Sequence, residues 1–156
     1  MKQTLAQGAV AGYPIVDVKV RLVDGSTHPV DGKDIAFQTA GAIAMRKAVQ
    51  EARPVLLEPV VNVRVVVPDR LTGDVIGILN SRRGRVAGMN PTGDGRSEVT
   101  AQVPQAEMAT FPIDLRAATQ GRGRYSMEFS HFDEVPPHVA QHLIDEYRKE
   151  HAAAAS

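Results

Sequence analysis

Val60-Val61-Asn62-Val63-Arg64-Val65-Val66-Val67 is the stretch on which the fold turns. It is β-branched throughout except at Asn62 and Arg64. Such side chains pack well on a pleated surface and lose rotamer freedom in a helix, so the run predicts a central strand. Just upstream, Pro54 stops a helical pattern, and residues 54–59 form the best boundary in the chain.

Working downstream, Leu71, Val75, Ile78 and Leu79 recur at i, i+4, i+7 and i+8. This spacing predicts a short amphipathic helix over about residues 72–83, with Gly84 placed for a left-handed C-terminal cap. Residues 85–89 and 98–103 read as strands joined around Gly93-Asp94-Gly95, with Val99, Ala101 and Val103 on the buried face. A second helix is expected over about residues 106–119, with Met108, Leu115 and Ala118 inward and Pro112 kinking it or starting a second segment. Gly121 and Gly123 lead into a strand at 124–132, where Tyr125, Met127 and Phe129 alternate with Ser126 and Glu128. Pro136-Pro137 starts a final helix to about residue 150 with Val139, Leu143, Ile144 and Tyr147 as its stripe. From residue 60 to 135 the order is β-α-β-β-α-β. This is an α+β, ferredoxin-like sandwich, in which two right-handed crossovers put both helices on one face of a four-stranded antiparallel sheet.

Upstream of the boundary, residues 15–23 alternate strictly, with Val16, Val18, Val20 and Leu22 opposite Asp17, Lys19 and Arg21. That period predicts a half-buried strand ending at Asp24-Gly25-Ser26. Residues 34–51 then change to helical spacing. Phe37, Ala40, Gly41, Ala44 and Ala48 form one stripe, with Ile35, Ala42, Met45 and Val49 beside it and Asp31 or Asp34 as the cap. With a short further strand at 55–57, this partial βα(β) unit is too small to be a domain by itself. The final helix is expected to pack back near it through Leu143 and Tyr147.

Composition bounds the chemistry. Of 156 residues, 43% are hydrophobic and 23% charged, and 18 basic residues balance 18 acidic ones, which is ordinary globular usage. With no Trp, three Tyr and four Phe, the core must be aliphatic. The absence of Cys excludes disulfides and thiolate metal sites. No signal-like apolar run opens the sequence and no membrane-length stretch occurs, so a cytoplasmic protein without a membrane partner is expected. The basic residues are 13 Arg and only 5 Lys, and the planar guanidinium fork suits phosphate and RNA bases.

No Walker-type glycine loop is present, and Gly93-Asp94-Gly95 and Gly121-Arg122-Gly123 do not follow a strand and open a helix as a nucleotide site requires. His138 and His142 stand at i, i+4 without a third ligand, so no metal site is expected. Asp133-Glu134 and Asp145-Glu146 read as surface charge and helix capping, and no catalytic residue is expected. Basic residues do cluster. Asn80, Arg82, Arg83 and Arg85 form one group and Gln120, Arg122 and Arg124 another. If both helices run the same way, the groups share one end of the sandwich as a phosphate-binding edge, the alternative being arginines that compensate helix dipoles. A single-stranded RNA platform is disfavoured, because only Tyr125 and Phe129 are available for stacking. A free-standing ferredoxin-like module that binds a ligand or dimerises is the reading of a different class.

Longer strings now bear comparison with a family. Gly12-Tyr13-Pro14, Val16-Asp17-Val18-Lys19-Val20, Asp24-Gly25-Ser26 with His28, Ala36-Phe37 and Ala40-Gly41 resemble the second half of domain IV of bacterial translation elongation factor G. Leu57-Glu58-Pro59, Gly73-Asp74-Val75-Ile76-Gly77, Arg82-Arg83-Gly84, Ala106-Glu107-Met108 and Thr119-Gln120-Gly121-Arg122-Gly123 resemble its domain V. The resemblance implies three parts. Residues 1–56 are the C-terminal half of domain IV, of the ribosomal protein S5 domain 2-like kind. Residues 57–135 are the ferredoxin-like domain V, and residues 136–156 are a C-terminal helix and tail.

It also implies the ribosome-binding end of a translational GTPase that moves transfer RNA and messenger RNA. Its partners would be large-subunit RNA near the GTPase-associated centre, the small-subunit decoding site, transfer RNA and the parent's remaining domains. Gly25, Ser26, Thr27 and His28 match the domain IV tip loop. GTP and magnesium belong to the parent's N-terminal domain, so this chain is expected to bind no cofactor and to hydrolyse no GTP. It would be a fragment or a truncated reading frame. Ile78, Pro112, Pro29, Gly32 and Lys33 depart from the family pattern and suggest a paralogue. The tetracycline-type ribosomal protection proteins, which share the architecture, are the nearest alternative.

Overall fold

A computed structural model of the chain describes residues 1–27, 29 and 32–154. It divides into two compact units, one of Leu57–Val135 and one of Met1–Leu56 with Pro136–Ser156.

The first of these is built on β1 (Leu57–Pro68), which extends the valine run in both directions. The short strand expected at 55–57 does not form as an element of its own, since Val55 and Leu56 precede β1 and only Leu57 belongs to it. It pairs antiparallel with β3 (Arg96–Pro104) on one side and β4 (Arg124–Glu134) on the other, and β2 (Arg85–Pro91) completes a sheet of order β2-β3-β1-β4. Val63, Val65 and Val67 alternate onto one face of β1 and lose essentially all contact with water there, as do Val99 and Val103 of β3. α3 (Thr72–Ser81) and α4 (Phe111–Thr119) cover that face with Val75, Leu79, Phe111 and Leu115. The core is aliphatic apart from Phe111, as a chain without Trp requires.

The opposite sheet face carries polar side chains. Arg64 reaches Glu98 at 3.7 Å, and Gln102 donates to Asn62 at 3.2 Å. Tyr125, Met127 and Phe129 pair with Val65, Val63 and Val61, which puts them on the helix side and leaves the open face without an aromatic platform.

Pro112 starts a segment rather than kinking one. Residues Gln105–Met108 form a 3-10 turn, and α4 begins at Phe111 with Pro112 in its first turn, where the missing N–H has no helical partner to lose. Gly84 is not the left-handed cap. Arg83 holds that conformation, at φ +58°, while the Gly84 N–H donates to Leu79 O at 2.9 Å. The backbones approach so closely that a Cβ on Gly84 would stand 2.5 Å from that oxygen. Gly84→Ala is therefore expected to destabilise this unit by about 1–3 kcal/mol, seen as a lower denaturant midpoint at unchanged slope.

The largest correction concerns direction. β1 and β3 are antiparallel, so the helix that follows each starts from the opposite end of the sheet. α3 and α4 therefore run in opposite senses, and the arginine groups at their C-termini lie at opposite ends and share no edge. Arg85 pairs with Gln102 near the end of β3, whereas Arg124 pairs with Val66 near the end of β1.

In the other unit, α1 (Lys2–Gln7), which the sequence reading does not anticipate, joins α2 (Asp34–Glu51) and α5 (Pro137–Ala154). Tyr147 of α5 packs so closely on the Gly12 backbone that a Cβ there would meet its ring at 2.5 Å. In α2, Met45 and Val49 of the second stripe are buried, whereas Ile35 of that same stripe and Phe37 of the first are exposed, so only the C-terminal part of the second stripe is used. Lys33 occupies the N-cap position with no side-chain bond, and Asp34 sits in the first turn. The other proposed cap, Asp31, lies outside the described residues.

The strand expected at 15–23 does not form. Its alternation survives in the sequence, but Val16, Val18, Val20 and Leu22 all face water. A strand needs a neighbour to pair its backbone, and the described residues of this unit contain no other strand. Asp17, at φ +57°, also breaks the extended path.

Candidate nucleic-acid interface

The two arginine groups differ in what holds them. At the end where α3 stops and α4 starts, Arg83 grips both oxygens of Glu58, Nη1 to Oε1 at 2.7 Å and Nη2 to Oε2 at 3.0 Å, while its Nε donates to Glu107 Oε1 at 3.0 Å. The Glu58 hydrogen bonds raise the Arg83 pKa above its ordinary value, burial opposes them, and Glu107 adds to the rise. Arg82 donates to Glu107 O, to Thr110 Oγ1 and to Asp114 Oδ2, and its guanidinium lies over the Phe111 ring.

These two side chains tie β1, α3 and the start of α4 together. Their charges are already matched by Glu58, Glu107 and Asp114, which is the arrangement of a structural clamp. Of the group expected to contact RNA, Asn80 and Arg85 are the members exposed at this end without such a clamp.

At the other end of the sheet the arginines are free of carboxylates. Arg122 and Arg124 are exposed, and no acidic side chain pairs with either among the described residues. They stand on a short, fully bonded connection. Thr119, the last residue of α4, is completely buried; its Oγ1 donates to Leu115 O at 2.6 Å and accepts from Gly123 N at 3.0 Å. Gln120 and Gly121 are left-handed, at φ +52° and +78°, which turns the chain sharply out of the helix. Gly121 N donates to Arg116 O and Arg122 N to Thr119 O, both at 3.0 Å.

Two residues here escape the sequence reading. Arg96, at the start of β3, sends Nη2 to Arg122 O at 2.8 Å and to Val66 O at 3.4 Å. Thr119 is the other. The signal for Arg96 lies in its register partner, Pro68, which can be assigned only when the β1–β3 pairing is known.

Gly25, Ser26 and Thr27 are exposed in irregular chain, with Gly25 N donating to Asp24 Oδ1 at 2.7 Å. His28 lies outside the described residues. His142 Nδ1 lies 3.6 Å from Glu146, and no group of three metal-ligating side chains occurs among the described residues. No helix among them is long and apolar enough to cross a membrane.

A split βαβ sheet with an arginine-bearing helix-to-strand connection, in a chain that carries a second, helical unit, is the class these features define. The family model described as "Elongation factor G C-terminus" matches residues 55–143, and "Elongation factor G, domain IV" matches residues 1–53. The chain belongs to the elongation factor G family. It is 53% identical over 146 residues to the elongation factor G of Aquifex pyrophilus, covering 94% of this chain and 21% of that protein. A crystal structure from Thermus thermophilus superposes with a TM-score of 0.80 at 42% identity, over 95% of this chain and 22% of that one. The chain thus spans about a fifth of the length of these relatives.

Proposed function

We propose that this chain is the ribosome-contacting C-terminal region of a cytoplasmic translational GTPase that promotes movement of transfer RNA and messenger RNA. It acts by shape and RNA contact and not by catalysis. The observation that carries the reading is the connection at 119–124, which is rigidly bonded inward and presents Arg122 and Arg124 outward without carboxylate partners. A guanidinium left free of internal acids is available to replace the counterions of an RNA phosphate.

In this reading Gln120, Arg122 and Arg124 meet large-subunit RNA near the GTPase-associated centre. Asn80 and Arg85 are secondary contacts at the far end of the sheet, and Arg82 and Arg83 serve the fold. Residues 25–28 are the part directed to the decoding site. Neither glycine-rich turn fits a nucleotide-phosphate cradle. Gly93-Asp94-Gly95 closes the β2–β3 hairpin, and Gly121-Arg122-Gly123 leads into β4, so neither opens a helix. No GTP step is assigned to these residues.

Chemical footprinting of ribosomal RNA with the full chain tests the proposal. Protection in large-subunit RNA that disappears with Arg122→Ala and persists with Arg82→Ala is the expected result. Protection lost with Arg82→Ala alone, or GTP turnover by the purified chain, would contradict it.

A further inference from the structure

We infer that Thr119 and Arg96 are positioning residues that hold the 119–124 connection in its RNA-gripping shape before RNA arrives. This rests on the reading of Arg122 and Arg124 as phosphate contacts.

The backbone groups of the connection are the starting point. The N–H groups of Gly121, Arg122 and Gly123 are all directed inward, to Arg116 O, Thr119 O and Thr119 Oγ1. Consecutive amides that point outward make an anion-binding nest, and these do not. Whatever affinity for phosphate the connection has must therefore come from its side chains, those of Gln120, Arg122 and Arg124, and the backbone's part is to aim them.

The aiming has two anchors. From the helix side, the Thr119 hydroxyl bridges Leu115 O and Gly123 N, and a Cβ on Gly123 would stand 2.9 Å from that hydroxyl, so any side chain there would displace it. From the sheet side, the Arg96 guanidinium fastens the Arg122 carbonyl to the Val66 carbonyl at the end of β1. Arg122 is thus tied on both flanks through its backbone while its own side chain stays exposed. An RNA ligand meeting a preformed loop avoids the ordering entropy that a mobile one would lose.

Thr119→Val keeps the shape of the side chain and removes both hydrogen bonds. Arg96→Gln removes the second anchor at a half-exposed site where folding is less at risk. Three readings on the full chain with bacterial ribosomes decide the matter. Each variant is expected to bind about five- to tenfold more weakly, the scale of one lost hydrogen bond or one newly ordered loop residue. In Thr119→Val the slope of log affinity against log salt should stay that of the parent, because no charge is removed; Arg122→Ala should instead lower it by about 1. Amide exchange should quicken at residues 121–123 and remain unchanged in β1 and β3, and Thr119→Ser should restore both binding and protection.

Parental affinity in both variants, or unchanged exchange at 121–123, would overturn the inference. An Arg122→Ala slope equal to the parent's would instead overturn the RNA-contact reading on which it rests. The exchange result would still say whether the two anchors hold the loop.

Discussion

Phe111→Ala is expected to lower the stability of the Leu57–Val135 unit by about 3–5 kcal/mol and its unfolding temperature by roughly 15 °C or more. Phe111 has no contact with water, begins α4, and meets the Tyr125 ring edge-on at 5.3 Å between centroids. Its removal leaves a cavity among Leu79, Leu115 and the β1 valines, whose short aliphatic side chains cannot fill the space of a ring. It also strips Arg82 of the ring beneath its guanidinium. Scanning calorimetry or circular dichroism on the full chain measures the loss. A fall of only about 1 kcal/mol would mean that the site collapses freely and that the core is not centred there. Phe111→Leu should recover much of the difference, because it restores most of the volume.

Arg83→Ala is the second large effect expected. It leaves Glu58, whose side chain is 13% exposed, with neither of its hydrogen bonds to the guanidinium. A carboxylate stranded this way costs several kcal/mol in a dry interior. The 27% exposure of Arg83 reduces that, and about 1–3 kcal/mol is expected in chemical denaturation. Arg83→Lys should restore little, since an ammonium cannot grip both carboxylate oxygens at once. In a double-mutant cycle with Glu58→Gln, the two losses should fall well short of adding. Because this arginine is spent within the fold, the salt slope of ribosome binding should not change in Arg83→Ala.

The sheet is legible in the sequence because its centre is so strongly patterned. A run such as residues 60–67 has one stable use, and the helical spacing on either side of the 85–103 hairpin fixes the β-α-β-β-α-β order. The sense of the second helix is harder to read. The antiparallel pairing of β1 with β3 decides it, and that pairing is a long-range fact. The shared arginine edge expected from the sequence depends on both helices running the same way, and it falls with that assumption. The roles of Arg82 and Arg83 are hidden for a similar reason. Glu58, Glu107 and Asp114 lie 24 to 32 residues away and meet these arginines only in three dimensions.

The alternation at residues 15–23 carries a genuine β-pattern. The structure gives that pattern no neighbour to pair with, and the backbone stays irregular. The match to elongation factor G, in contrast, is carried by collinear strings that need no three-dimensional knowledge, and both family models agree with it.

In the proposed function, phosphate contact is made by the exposed arginines of the 119–124 connection and not by the clamped pair at the other end. Co-sedimentation of the full chain with bacterial ribosomes across a salt series tests it most directly. The Arg122→Ala, Arg124→Ala double variant should lower the slope of log affinity against log salt by about 2, while Arg82→Ala, Arg83→Ala, assayed where it remains folded, should leave it unchanged. The same slope in parent and Arg122/Arg124 variant, or the loss appearing in the Arg82/Arg83 variant, would contradict the account.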